Sequence, residues 1–155
     1  MRTRLTILVV AIFAVSVGLW AADDPLIGTW KLNVAKSKYD PSSTPPRSQT
    51  IHFEADGDGV KLTTDGVDAE GKPTHTEFRA KYDGKDYPVT GSPTQDAVAM
   101  KRIDTHTTER IFKKGGKVVS TGQRVVSKDG KSWTATTKGT RNGKPYTDVT
   151  FYEKQ

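Results

Sequence analysis

The chain has no cysteine. That removes thiol catalysis, disulfide scaffolds and thiolate metal sites together, and it excludes a lipid anchor on a cysteine behind an apolar leader. It also suits export to a bacterial periplasm better than a small disulfide-dense secreted scaffold. Beyond Ala22 no segment keeps a 3.6-residue apolar period, so a helical bundle is excluded. Leucine and isoleucine are sparse for a dry core of this size. There is no Gly-x-Ser-x-Gly elbow, no His-Glu-x-x-His and no glycine loop that could cradle phosphate, so the chain reads as a non-enzyme. Basic residues outnumber acidic ones, 24 to 18. They are scattered rather than clustered among aromatics, so nucleic acid is not an expected partner. His52, His75 and His106 fall on three separate predicted strands without ligand spacing and read as surface residues. No metal or cofactor is expected. Asp56-Gly57-Asp58-Gly59 lacks the remaining ligand positions of a calcium loop and reads as a hairpin turn.

The one long apolar run is at the start. Arg2 and Arg4 form a basic n-region, Leu5 to Trp20 is apolar apart from Thr6, Ser16 and Gly18, and Ala21-Ala22 precede Asp23-Asp24. This is the layout of a signal peptide over 1–21. A membrane anchor is the competing reading, but the run is short of the roughly 20 residues a span needs. The cleavage point stays open, because Leu19 or Trp20 would occupy the −3 position. Residues 22–155 then form one exported domain, periplasmic or secreted, expected to be a monomer without a stable membrane anchor.

What the chain does have is threonine, 21 residues of it, and a recurring polar turn ending in Gly-Lys. The turn appears as Glu70-Gly71-Lys72, Asp83-Gly84-Lys85, Gly115-Gly116-Lys117, Asp129-Gly130-Lys131 and Asn142-Gly143-Lys144. Asp-Gly, Asn-Gly and Gly-Gly tolerate the positive φ of tight hairpins. Between the turns lie short Thr- and Val-rich runs, which predict strands over 26–34, 48–55, 60–65, 74–82, 85–89, 97–103, 107–113, 117–127, 132–139 and 145–154. Prolines 41, 45 and 46 argue against a long helix in the 35–47 connection, although one helical turn over 35–39 is compatible with it. About ten consecutive antiparallel strands with short loops predict an all-β fold, a single up-and-down barrel, since closure removes exposed edges. A two-sheet sandwich is the alternative.

Alternation places Phe78, Ala80 and Tyr82 on one face, Thr108, Arg110 and Phe112 on another, and Trp133, Ala135 and Thr137 on a third. These faces mix apolar and polar groups, which points to a partly polar, hydrated interior.

The two ends of the domain, Gly28-Thr29-Trp30-Lys31-Leu32 and Val149-Thr150-Phe151-Tyr152-Glu153-Lys154, resemble those of fatty-acid-binding proteins, and Gly-x-Trp also opens the wider lipocalin (calycin) group. The resemblance implies a ligand-binding barrel with Trp30 as an end plug. Three departures accompany it. The 35–47 segment is too short for that family's helical lid, Thr150 stands where the family's last strand carries an arginine, and a signal peptide precedes the domain.

Arg102, Arg110 and Arg124 lie within predicted strands. An arginine turned into a barrel needs a partner, which a ligand carboxylate could supply together with the Tyr152 hydroxyl. Each arginine could equally face outward against a cross-strand acid, and a one-residue slip in register decides which. The resemblance adds that Arg124 falls near an inward cation of the family. The resulting expectation is non-catalytic binding or carriage of a small hydrophobic or amphipathic ligand. Arg110, Arg124, Tyr152 and Arg102 would hold its head group, and Phe78, Met100, Phe112 and Trp133 its apolar part. The alternative is a filled barrel acting as a structural or interaction module of the bacterial envelope. A calycin-type isomerase or hydrolase would need a histidine or carboxylate turned into the cavity.

Overall fold

A computed structural model describes residues 24–155; the expected leader, 1–21, lies outside the described residues. Ten strands follow one another: β1 (Gly28–Leu32), β2 (Ser48–Asp56), β3 (Gly59–Val67), β4 (Pro73–Lys81), β5 (Asp83–Thr90), β6 (Ala97–Arg102), β7 (Thr107–Lys114), β8 (Lys117–Val126), β9 (Ser132–Arg141) and β10 (Lys144–Lys154). Each pairs antiparallel with the next, and β10 returns to β1, so the sheet closes into an up-and-down barrel rather than a sandwich.

The turn chemistry explains most of the meander. Asn142 (φ 52°) and Gly143 (φ 74°) form a two-residue turn between β9 and β10, where both central residues need positive φ. Asp56 to Gly59 forms the β2–β3 hairpin. Two of the Gly-Lys triplets differ from the simple expectation. Asp83-Gly84-Lys85 is not the turn itself but the irregular start of β5, where the register against β6 shifts between Asp83 and Asp86. Glu70-Gly71-Lys72 belongs to a wider loop, in which the Asp68 carboxylate accepts the Lys72 N–H at 2.7 Å. The first strand is shorter than predicted. Leu26 and Ile27 turn instead, and the Leu26 carbonyl accepts the Trp30 indole N–H at 2.7 Å. The 33–47 connection forms a hydrogen-bonded turn at Val34 to Ser37, then runs along β10 through paired backbone bonds between Lys38 and Val149.

An up-and-down meander puts alternate connections at opposite ends. The end holding the β2–β3, β4–β5, β6–β7 and β8–β9 turns is sealed by Trp30, fully buried, with the Lys154 ammonium 5.0 Å from its ring centroid. Gly28 makes this possible. Its φ of 127° is open to glycine, and a Cβ there would lie 2.9 Å from the Lys154 side chain. Above the plug, Trp133 meets Trp30 edge-on with ring centroids 6.3 Å apart. Leu26, Phe53, Val60, Val98 and Met100 complete a core concentrated in this half of the barrel.

The wall is uneven. The β9–β10 ladder pairs ten residues on each strand, whereas β4 and β5 pair only at Glu77 with Thr90 and Phe78 with Val89.

Candidate functional site

The inward residues enclose a cavity of about 240 Å³. Arg124, Trp133 and Tyr152 sit at its deep end, towards the core, and Gln95, from the β5–β6 connection, lies at the other. Ile51, Leu62, Phe78 and Phe112 form its apolar wall. Gln49, Thr64, Thr76, Thr137, Thr150 and Arg110 add polar groups. The threonine faces thus line a mixed interior, as alternation implied.

Arg124 is 1% exposed, although it is among the longest polar side chains the chain can bury. Small neighbours make its room: Thr108 is its partner on β7 and Ala135 its partner on β9. Its guanidinium lies 4.7 Å from the ring centroids of both Phe53 and Trp133. The negative ring faces offset part of the burial cost, each by about 1–2 kcal/mol where water is excluded. They do not satisfy its donors. Nε and Nη1 have no hydrogen-bond partner among the described residues. Burial, and next the charge of Arg110, hold Arg124 well below its ordinary range.

Arg110 comes from β7 and is 9% exposed. It faces Gly122 on β8, where a Cβ would stand 3.1 Å from Nη2 and 3.2 Å from the Thr136 carbonyl. Glycine at 122 therefore leaves the space that the guanidinium occupies. Arg110 Nε also lacks a partner among the described residues, and burial lowers this group to about 10, still well above neutral pH. A guanidinium keeps its proton inside proteins, so both arginines enter the cavity as cations.

Tyr152, on β10, stacks on Trp133 with centroids 3.9 Å apart and rings 16° from parallel. Its hydroxyl donates to Gln49 Oε1. Burial raises the phenol well above its usual range, so it stays a neutral donor.

The remaining expected residues are elsewhere. Met100 is fully buried in the core and does not line the cavity. Arg102 reaches the sealed end, where it pairs with Asp24 and lies 4.0 Å over the Tyr82 ring. Asp24 also accepts the Tyr82 hydroxyl at 2.7 Å and the Leu26 N–H at 3.0 Å. This cluster answers its own charges. The histidines stay outside the cavity: His52 bonds Thr29 at 2.8 Å and His75 bonds Asp65 at 2.7 Å, while His106 lies half-buried in the β6–β7 connection and not on a strand as expected, because β6 ends at Arg102 and β7 starts at Thr107. Among the described residues, neither histidine nor carboxylate lines the cavity.

Sequence reasoning missed Gln49, Gln95, Thr64, Thr76 and the inward Thr150, as well as Phe53 beneath Arg124. For Gln49 and Phe53 a signal was present, since both share the inward face of β2 with Ile51. Gln95 sits in a connection, where alternation has no meaning.

No protein family and no curated protein sequence matches the chain significantly. Similarity appears only at the level of solved folds. The Rv2717c protein of M. tuberculosis superimposes with a TM-score of 0.55 at 15% identity, over 86% of this chain and 95% of that one. Weaker likeness extends to lobster apocrustacyanin A1, with a TM-score of 0.46, 12% identity, and 84% and 61% of the two chains covered. A protein titled EF1p2_mFAP2b bound to DFHBI gives 0.44, 14%, and 87% and 97%. What this chain shares with Rv2717c is the barrel fold.

Proposed function

We propose that the barrel binds a small anionic, amphipathic molecule without transforming it. The observation that carries this is the pair of arginines buried in one cavity with donors unanswered among the described residues. A buried cation without a partner costs several kcal/mol, and a fold that keeps one has a use for it. The head group would sit on Arg110 and Arg124 at the deep end, with the Tyr152 hydroxyl turning from Gln49 to assist. Phe78, Phe112, Leu62 and Ile51 would hold the apolar part. Catalysis by proton transfer has no candidate base, since neither histidine nor carboxylate lines the cavity among the described residues. The apolar leader read over 1–21 supports export of the barrel as a soluble, monomeric periplasmic or secreted carrier.

Anilinonaphthalene sulfonate, an anionic amphiphile, tests this by titration into the purified protein. Enhanced fluorescence that octanoate displaces, and that Arg124→Met and Arg110→Met each weaken about tenfold or more, is the expected result. Failure of every anionic amphiphile in a broad panel to bind would refute it.

A further inference from the structure

Resting on the anion-site reading above, we infer that the ligand is a compact dianion, a small dicarboxylate or phosphate monoester, rather than a long-chain monocarboxylate. Charge is the first argument. Arg110 and Arg124 bring two cations to one cavity whose lining includes no acid among the described residues. The two acids buried nearby are already engaged. Asp24 is held by Arg102, Tyr82 and the Leu26 N–H at the sealed end. Asp148 accepts the Asp40 N–H at 2.9 Å and the Ser43 hydroxyl at 2.6 Å, from the 33–47 connection. A monoanion would therefore leave one positive charge uncompensated in a medium where water screens poorly, and the repulsion between the two guanidiniums would persist. A dianion cancels both.

Donor geometry is the second argument. Among the described residues, N–H groups without a partner come from two strands: Arg110 Nε from β7, and Arg124 Nε and Nη1 from β8. Two separate guanidinium forks match two carboxylates, or the three acceptor oxygens of a phosphate. Size is the third. The cavity of about 240 Å³ falls below the range of about 300–1,000 Å³ typical of drug-sized ligand sites, so it suits a compact ligand better than a long acyl chain. The hydroxyls of Thr64, Thr76, Thr137 and Thr150 make much of the remaining lining polar, which suits a compact polar body better than an alkyl tail.

Calorimetric titration of the purified protein with benzoate, phthalate, phenyl phosphate and palmitate separates the possibilities. Phthalate or phenyl phosphate should bind about tenfold or more tighter than benzoate, and palmitate should bind more weakly than either. If phenyl phosphate is the preferred dianion, its affinity should fall as pH drops through about 6, where the monoester regains a proton. Whichever dianion wins identifies the head-group chemistry. Arg110→Met and Arg124→Met should each reduce the preference for dianion over benzoate to near unity. Arg124→Lys, which keeps the buried charge, should retain part of it and serves where the methionine variant does not fold. Equal affinity for benzoate and both dianions, or tighter binding of palmitate, would overturn the dianion while leaving the anion site standing. Persistence of the preference in both methionine variants would also overturn it. Failure of all four probes to bind would remove the anion site itself.

Discussion

Two arginines on strands separated by β7 have opposite meanings in this barrel. Arg124, sandwiched between Phe53 and Trp133 with two donors unanswered, burdens the ligand-free fold. Arg102 supports the fold, because it neutralises an Asp24 side chain that is 4% exposed. Thermal unfolding without ligand should therefore move in opposite directions. Arg124→Met, which replaces a buried charge by an apolar group of similar length, should stabilise by about 1–3 kcal/mol. Arg102→Ala, which strands the Asp24 carboxylate, should destabilise by about 2–3 kcal/mol and leave anion affinity unchanged. Destabilisation by Arg124→Met would show that the guanidinium is structural. Alternation put Arg110 on one face with Thr108 and Phe112, but it left open for all three arginines whether they turn inward or outward, because register decides that. It could not separate Arg102 from the others, because its partner Asp24 lies 78 residues earlier in the chain. Unpaired donors are equally invisible in a sequence, since a missing contact has no local pattern.

At the scale of single elements, an aspartate holds the following backbone at three places at the sealed end, two in turns and one at the start of β5. Asp104 accepts the His106 and Thr107 N–H groups at 2.8 and 2.7 Å, Asp129 accepts the Lys131 N–H at 3.0 Å, and Asp83 accepts the Lys85 N–H at 3.0 Å. Hydrogen bonds to the charged form hold all three carboxyls below their usual range, with the backbone N–H of His106 or Lys85 first for Asp104 and Asp83, and the Ser127 hydroxyl first for Asp129. A depressed folded-state value means that these bonds contribute fully above the ordinary carboxylate value of 3.8 and are lost as pH falls through the lower folded value. Amide resonances of Lys85, His106, Thr107 and Lys131 should therefore titrate together with midpoints below 3.8, and Asp104→Asn should silence the response at His106 and Thr107 only. Midpoints at or above 3.8 would contradict the capping role. Much of this was readable beforehand: the Asp-Gly pairs marked the turns at 56–59 and 129–130 correctly. The irregular start of β5 was not readable, because the same Asp-Gly signature serves a turn or a bulged strand start, and pairing with β6 decides between them.

For the molecule as a whole, ten strands in one closed order were legible, because short loops leave a meander little other topology. The unevenness of the wall was not, since it depends on cross-strand register. With only two residues paired on each side, the β4–β5 seam is where opening costs least. Native-state hydrogen exchange should show β5 amides exchanging faster than those of β9 and β10, with a bound anion narrowing the difference. Uniform protection around the barrel would exclude the seam as the place where the wall breathes. Closure itself has a consequence in time. Nine of the ten ladders join strands adjacent in sequence and can form as local hairpins, but Trp30 meets Lys154 only when the last strand is available. Of the ten closures, that one spans the longest stretch of chain and has the highest loop-closure cost. Until it succeeds, the outer edges of β1 and β10 stay open and able to pair with other chains. During synthesis, therefore, every residue through β9 can be in place while the barrel is still an open sheet, with its two arginines facing water that the finished cavity will largely exclude.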